Sequence, residues 1–335
     1  MSDGVSILQK AWLSRGWLAC LLWPTTLLSR LWLWGVRLAY ALHLKRPTKL
    51  PIPVLVVGNV LVGGTGKTPI VMHLASELKA MGWHVGVIAR AQETAQQTVQ
   101  EVHLHSPATQ VGDEPLLVKK RCKVPVFIGK ERALAAQALL KAYPDTQLII
   151  SDDGLQHRAL HHDLALCVFD DRGLGNGFLL PAGPLREPWP RHSKVPVFMV
   201  HTGDKPFGAS YAAHRRLADV AVNGMGQIRP LASWQGETVQ ALAAIAQPEV
   251  FFQALRQHGI HLSAAHSLPD HASLTVWQSP DDQDLFCTEK DAVKLWVRQP
   301  QTWAVPLECS LPEDLWSQLL QHLKQLSSAH GQKTA

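Results

Sequence analysis

Gly58-Asn59-Val60-Leu61-Val62-Gly63-Gly64-Thr65-Gly66-Lys67-Thr68-Pro69 lies between an apolar run, Pro53 to Val57, and a helix-like run, Ile70 to Leu78. Strand, glycine-rich turn, Gly-Lys-Thr and helix is the setting in which a phosphate-binding loop works. Its glycines let backbone N–H groups curl around phosphate oxygens at a helix N-terminus. The run Leu61, Val62, Gly63, Gly64, Thr65, Gly66, Lys67 and Thr68 is therefore the expected nucleotide-binding segment. Lys67 is the residue to reach the β- and γ-phosphates, and the Thr68 hydroxyl is a ligand for Mg²⁺. Pro69 is harmless in a first helical turn, where its missing N–H has no intrahelical partner. The usual spacing puts a glycine five residues before Gly66, where this chain has Leu61.

Beyond the loop, apolar β-rich runs recur at His84–Arg90, Val124–Gly129, Leu148–Ser151, Leu164–Phe169 and Pro196–Val200, with helix-like stretches such as Leu116–Arg121 and Glu131–Ala142 between them. Near-continuous apolar strands alternating with helices predict an α/β fold: a doubly wound, mostly parallel sheet covered on both faces. Ligands of such sheets bind at the carboxyl ends of the strands. The pattern loosens near Phe207 and resumes at Val239. We expect a phosphate-loop domain over 51–206, a smaller C-terminal α/β domain over 207–335 and a separate N-terminal segment over 1–50.

Five scattered cysteines with no Cys-x-x-C pair argue against a disulfide framework or structural zinc. The net charge of +5 is concentrated at the N-terminus, where residues 1–50 hold seven Lys or Arg against Asp3 alone. The remainder is near neutral, which gives no nucleic-acid footprint. Trp12, Trp17, Trp23, Trp32 and Trp34 share those fifty residues. The longest uncharged run, Gly16 to Ser29, is short of the roughly 18–20 residues a spanning helix needs, and Pro24 interrupts it. On one helical projection Arg15, Arg30 and Arg37 share an arc of roughly 60° opposite Leu28, Leu31, Gly35, Leu38 and Leu42. That amphipathic segment reads as lying in a membrane interface, with its positive charge favouring the anionic cytoplasmic leaflet. A secretory signal, against which the lack of a small-residue cleavage site argues, a spanning helix and a helix packed on the protein's own core are the competing readings.

Several polar clusters invite chemistry. Leu148-Ile149-Ile150-Ser151-Asp152-Asp153-Gly154 is an apolar strand ending in two carboxylates, the pattern that delivers an Asp to Mg²⁺ in phosphate-loop enzymes. Asp-Asp-Gly is also a common turn. Gly112-Asp113-Glu114-Pro115 opens a helix, and its acids suit the helix dipole as well as a site. Gly175 to Glu187 reads as a long loop ending in the pair Arg186-Glu187. Pro269-Asp270-His271 and Thr288-Glu289-Lys290-Asp291 complete the set.

In this order, the motifs resemble the tetraacyldisaccharide 4'-kinase family of the lipid A pathway over about residues 51–310. The resemblance rests on Val-Gly-Asn with Gly-Gly-Thr-Gly-Lys-Thr-Pro, Gly-Asp-Glu-Pro (112–115), Asp-Asp-Gly-Leu-Gln-His (152–157), the 175–187 block, Pro-Asp-His (269–271) and Thr-Glu-Lys-Asp (288–291). Leu61 is ordinary for that family. The resemblance implies transfer of the ATP γ-phosphoryl group to the 4'-hydroxyl of an acylated glucosamine disaccharide 1-phosphate, giving lipid IVA. It implies ATP and Mg²⁺ as cofactors, a peripheral or monotopic place on the cytoplasmic face of the bacterial inner membrane, and no nucleic-acid or protein partner. Asp113 and His271 match the pair that deprotonates the sugar hydroxyl, with Lys67 on the phosphates. Thr68, Asp152, Asp153 and Glu187 match the Mg²⁺-positioning residues, and Arg90, His157 and Arg186 match substrate or phosphate contacts. One departure follows Arg90: the family's Ser-Arg-Gly-Tyr-Gly reads Ala89-Arg90-Ala91-Gln92-Glu93 here. A membrane-associated partitioning ATPase would share Gly-Gly-x-Gly-Lys-Thr and the amphipathic helix, but it carries a Lys where Val62 stands.

Overall fold

The computed structural model describes residues 10–91, 99–190, 193–208, 210–270, 272–274, 276–278 and 283–331. Among the described residues, helices α1 (Trp17–Leu22) and α2 (Thr26–Ala41) precede β1 (Val54–Gly58) and α3 (Lys67–Ala80). The chain continues through β2 (Val85–Arg90), β3 (Val99–Glu101), α4 (Ala108–Val111), α5 (Asp113–Cys122), β4 (Val126–Gly129) and α6 (Arg132–Ala142). Next come β5 (Leu148–Asp152), β6 (Leu164–Phe169), β7 (Val197–His201) and β8 (Tyr211–Ala212). Among the described residues these strands form one sheet in the order β3-β4-β2-β5-β1-β6-β7-β8. All its pairings are parallel except β3 with β4. Every residue of β1, β5 and β6 is buried, as expected for strands covered on both faces. Ile70, Leu74 and Leu78 of α3 and Leu116 of α5 fill one face, while Ala135, Ala136 and Leu139 of α6 fill the other with Val60 and Leu61.

The second half adds β9 (His214–Leu217), β10 (Val220–Asn223), β11 (Ile228–Pro230), β12 (Thr238–Ala243), α7 (Pro248–Gln257) and β13 (His261–Ser267). It ends with β14 (Leu285–Thr288), α8 (Glu289–Leu295), β15 (Trp303–Val305), β16 (Leu307–Ser310) and α9 (Glu313–Gly331). A second sheet has the order β11-β10-β15-β14-β12-β13, and β9 pairs antiparallel with β16 as a two-stranded ribbon. The expected boundary after residue 206 falls between β7 and β8, which pair in the first sheet. Helix α9 also rejoins that sheet: Leu315, Leu319 and Leu323, spaced four apart on one helical face, are buried in the core shared with α3. Each such leucine contributes roughly 1.5–3 kcal/mol by burial. The described residues beyond 206 are thus divided between the two cores.

The N-terminal helices do not form one continuous rod. Pro24 lies in a 3₁₀ turn, Trp23–Thr25, between α1 and α2, so the projection that aligned Arg15 with Arg30 and Arg37 does not carry across it. Arg15 instead donates from Nε to the Asn176 carbonyl at 3.0 Å and stacks over the Phe178 ring. Trp12 Nε1 donates to the Pro181 carbonyl (2.9 Å) and Ser29 Oγ to the Leu180 carbonyl (2.7 Å). The segment therefore docks on the 175–187 loop, with Thr26 buried and Leu33 packed against the core. The rest of α2 faces outward: Leu28, Leu31, Trp32 and Trp34 are each more than 60% exposed (70, 63, 68 and 62%). At 100° per residue the exposed Leu27, Leu28, Leu31, Trp32, Trp34 and Leu38 span an arc of about 160°. Among the described residues no helix is long and apolar enough to cross a membrane.

Candidate active site

The glycine loop links the C-terminal end of β1 to the N-terminus of α3. Gly63 and Gly66 have φ of 94° and 78°, a region that suits glycine, and Gly66 caps α3 directly before Lys67 and Thr68. A Cβ on Gly66 would lie 2.9 Å from Nη1 of Arg215. Leu61, at the position where the common spacing has glycine, is fully buried and bridges Leu185, and Val62 N–H donates to the Pro184 carbonyl at 2.9 Å. Apolar packing against the 175–187 loop thus fixes the start of this turn. Asn59 reinforces it, donating from Nδ2 to Thr65 Oγ1 (3.1 Å) and to the Gly63 carbonyl (3.3 Å).

Beside the loop, β5 delivers the carboxylate pair. Lys67 Nζ stands 3.5 Å from Asp153 Oδ1, and Arg186 Nη1 donates to both Asp153 oxygens at 3.2 and 2.9 Å. Asp153 adopts φ of 50°, a conformation aspartate tolerates better than most residues. Burial would raise its carboxyl, but Lys67 and Arg186 together hold it below the ordinary carboxylate range. Its neighbour Asp152 behaves oppositely: burial, with repulsion from Glu114, pushes it up to about 7 against the pull of Lys67 and Arg132. The Arg186-Glu187 pair is divided between partners. Buried Glu187 accepts from Gln156 Nε2 at 3.0 Å, and that amide also donates to the Asn59 carbonyl at 2.9 Å.

Arg132 lies under this cluster, donating to the Gly129 carbonyl (3.3 Å) and the Asp152 carbonyl (3.4 Å), and burial lowers its guanidinium to about 10. His157 accepts at Nε2 from the Arg132 backbone N–H at 3.2 Å, so its ring takes part in structure as well as facing the cluster. Burial, then Arg132, lowers its pKa, and the charge of Arg90 adds to that. Arg90 is exposed at the end of β2, and the altered segment 92–98 lies outside the described residues.

Among the described residues no three His, Cys, Asp or Glu side chains are gathered as a metal cage. Thr68, Asp152, Asp153 and Glu187 therefore do not form a preassembled metal site. Mg²⁺ in phosphoryl transfer needs only one or two carboxylates, because phosphate oxygens and waters complete its shell. The donor set fits that open pattern: Asp152 Oδ1 is buried with no hydrogen-bond partner, beside the lysine of the phosphate loop.

Asp113 begins α5 next to Gly112, whose φ is 90°. It is buried and forms an ion pair with Lys294 of α8 at 3.0 Å. His271, the expected base, lies outside the described residues, but its neighbours Asp270 and Ala272 are described and both contact lysines of α8. Asp113, Glu114, Asp270, Ala272, Lys290 and Lys294 thus meet at one junction.

Several polar residues at the site escape a sequence reading. Arg172, paired with Asp170, donates to the Val62 and Gly64 carbonyls at 3.0 Å each, and Thr202 Oγ1 donates to the Thr65 carbonyl at 2.9 Å. Lys290 belongs to the Thr-Glu-Lys-Asp stretch and Lys294 follows it three residues later, in a run that reads as a helix start. Thr288 does cap α8, accepting at Oγ1 from Asp291 N–H. Only the fold reveals what the two lysines contact.

The family profile for tetraacyldisaccharide-1-P 4'-kinase (LpxK) matches residues 18–324. A tetraacyldisaccharide 4'-kinase of Acidovorax sp. strain JS42 is 47% identical over 96% of this chain and 96% of its own. One from Leptothrix cholodnii is 37% identical over 93% of this chain and 94% of its own. The crystal structure of LpxK from Aquifex aeolicus in complex with ATP superposes with a TM-score of 0.79 at 26% identity, covering 92% of this chain and 99% of that one. Sequence similarity over nearly the whole length and a shared architecture agree with the order of the motifs, and the chain belongs to the tetraacyldisaccharide 4'-kinase family.

Proposed function

We propose that this chain transfers the γ-phosphoryl group of ATP to the 4'-hydroxyl of a tetraacylated glucosamine disaccharide 1-phosphate, forming lipid IVA at the cytoplasmic face of the inner membrane. The observation that carries the reading is Lys67 at the mouth of the glycine loop, 3.5 Å from Asp153 at the end of β5, in a chain of this family. A phosphate-gripping lysine and an acidic strand end in contact are the two halves of a nucleotide site.

In this reading the amides of Gly63 to Thr68 and the Lys67 ammonium hold the β- and γ-phosphates. Thr68, Asp152, Asp153 and Glu187 would hold Mg²⁺, whose chemistry there is to neutralise charge on the phosphate oxygens. Asp113 orients His271, which takes the proton of the 4'-hydroxyl as the oxygen attacks the γ-phosphorus in line. Arg90, His157 and Arg186 contact the acceptor or the transferred phosphate. Catalysis comes mainly from positioning and from charge already in place before the reaction. Residues 1–50 moor the enzyme, 51–206 bind nucleotide and 207–335 bring the base. The exposed Trp/Leu face of α2, flanked by Arg30 and Arg37, supports a mooring that lies in the interface, where an acylated acceptor presents its sugar.

The test is a phosphoryl-transfer assay with Mg-ATP and the acylated disaccharide 1-phosphate in detergent micelles. The intact chain is expected to phosphorylate the lipid, and His271→Ala to do so far more slowly. ATP hydrolysis that ignores the acceptor and yields no lipid product would overturn the reading in favour of a nucleotide switch.

A further inference from the structure

Two lysines one turn apart on α8 each hold the same two pieces of chain. Lys290 Nζ lies 2.9 Å from Asp270 Oδ1 and 3.6 Å from Glu114 Oε1. Lys294 Nζ lies 3.0 Å from Asp113 Oδ2 and donates to the Ala272 carbonyl at 3.1 Å. Asp113 and Glu114 are the first residues of α5, whereas Asp270 and Ala272 flank His271 in sequence. Lys294 is also 3.8 Å from Asp291 Oδ1, and the three side chains are nearly enclosed, at 10, 8 and 0% exposure for Lys294, Asp113 and Asp291.

We propose that Lys290 and Lys294 are positioning residues, a two-point clamp that sets the start of α5 against the segment carrying His271. The proposal rests on the kinase reading above and adds the part that aligns its acid–base pair. A purely cohesive ion pair at a domain junction would need only one carboxylate partner. Here each ammonium bridges both sides, and its second contact falls on a residue adjacent to the base. The geometry also ranks the two lysines. Lys294 is the more enclosed and touches Asp113 itself, so its loss has the larger effect. Misplacing a reacting group by about 1 Å costs on the order of 100-fold in rate.

The experiment measures kcat and KM for ATP and for the acylated disaccharide with the full-length chain in micelles. K294M is expected to lower kcat roughly 30- to 100-fold with both KM values within about threefold, and K290M to lower it by less. K294R, which keeps the charge and the reach, is expected to stay within about tenfold of the parent chain. In a D113N background, K294M is expected to change kcat by less than about threefold, because its effect runs through Asp113. A structural role that bypasses Asp113 would give the same factor in both backgrounds. If K294M folds too poorly to assay, D291N/K294M neutralises the carboxylate stranded beside the missing lysine, and the same loss in kcat is expected. Near-parental kcat in a folded variant lacking Lys294, or a loss undiminished in the D113N background, overturns the clamp. Absence of lipid phosphorylation by the parent chain overturns the kinase reading instead.

Discussion

Replacing Asp152 with Asn is expected to stabilise the protein without nucleotide or metal, and to do so increasingly as the pH rises. Burial lifts this carboxyl from 3.8 to about 7, even with Lys67 and Arg132 nearby. Between those values the folded chain keeps a proton that the unfolded chain has already released, so stability falls as pH climbs through the window. The loss begins as pH passes the unfolded value and is complete above about 7. At 1.36 kcal/mol per pH unit, the ionised carboxylate then costs the fold about 4 kcal/mol. Asn keeps the shape and carries no charge, so D152N escapes that penalty. Unfolding by urea in EDTA, at pH 5 and pH 8, should show the mutant more stable by about 1–2 kcal/mol at the lower pH and about 3–4 at the higher. Burial raises Glu289 and Asp291 too, but both are present in each protein and drop out of the difference. The same mutant should lose most of its kinase activity. A stability gap independent of pH, or a mutant weaker than the parent at pH 8, would refute the claim that an ionised Asp152 strains the ligand-free fold.

Other consequences can be checked alongside. R172M frees the Val62 and Gly64 carbonyls and should raise KM for ATP about tenfold with kcat less affected, as steady-state kinetics will show. L319A removes a fully buried side chain of α9 and should cost about 2–5 kcal/mol, lowering the melting temperature by several degrees. L28E/W32E alters two exposed residues, so it should leave the melting temperature nearly unchanged and abolish co-sedimentation with anionic vesicles.

Local signals were legible wherever chemistry and periodicity coincided. The apolar run before Gly58 and the Gly-Lys-Thr after it mark β1, the loop and α3 without reference to anything distant. The amphipathic character of α2 follows from spacing alone, within the limit the break at Pro24 sets on one projection, but that its apolar face turns outward is visible only in the fold. Leu61 looks like a defect in the motif until its packing on Leu185, 124 residues downstream, gives it a reason. The same limit hides Lys290 and Lys294, whose carboxylate partners on α5 are far away in sequence, and Arg172, which meets the loop only through its carbonyls. Helix α9 is not among the expected elements, and the spacing of its leucines, four apart, says nothing of which core receives them.

The return of α9 to the first sheet bears on how the protein is made. The nucleotide-binding half begins at β1, but the leucines that complete one face of its core arrive more than 250 residues later. A ribosome therefore exposes that half with apolar surface still uncovered until α9 emerges. Chains stopped short of α9 would hold every phosphate-loop residue and still lack a finished floor beneath α3, so a site whose loop is made early waits on a helix made late.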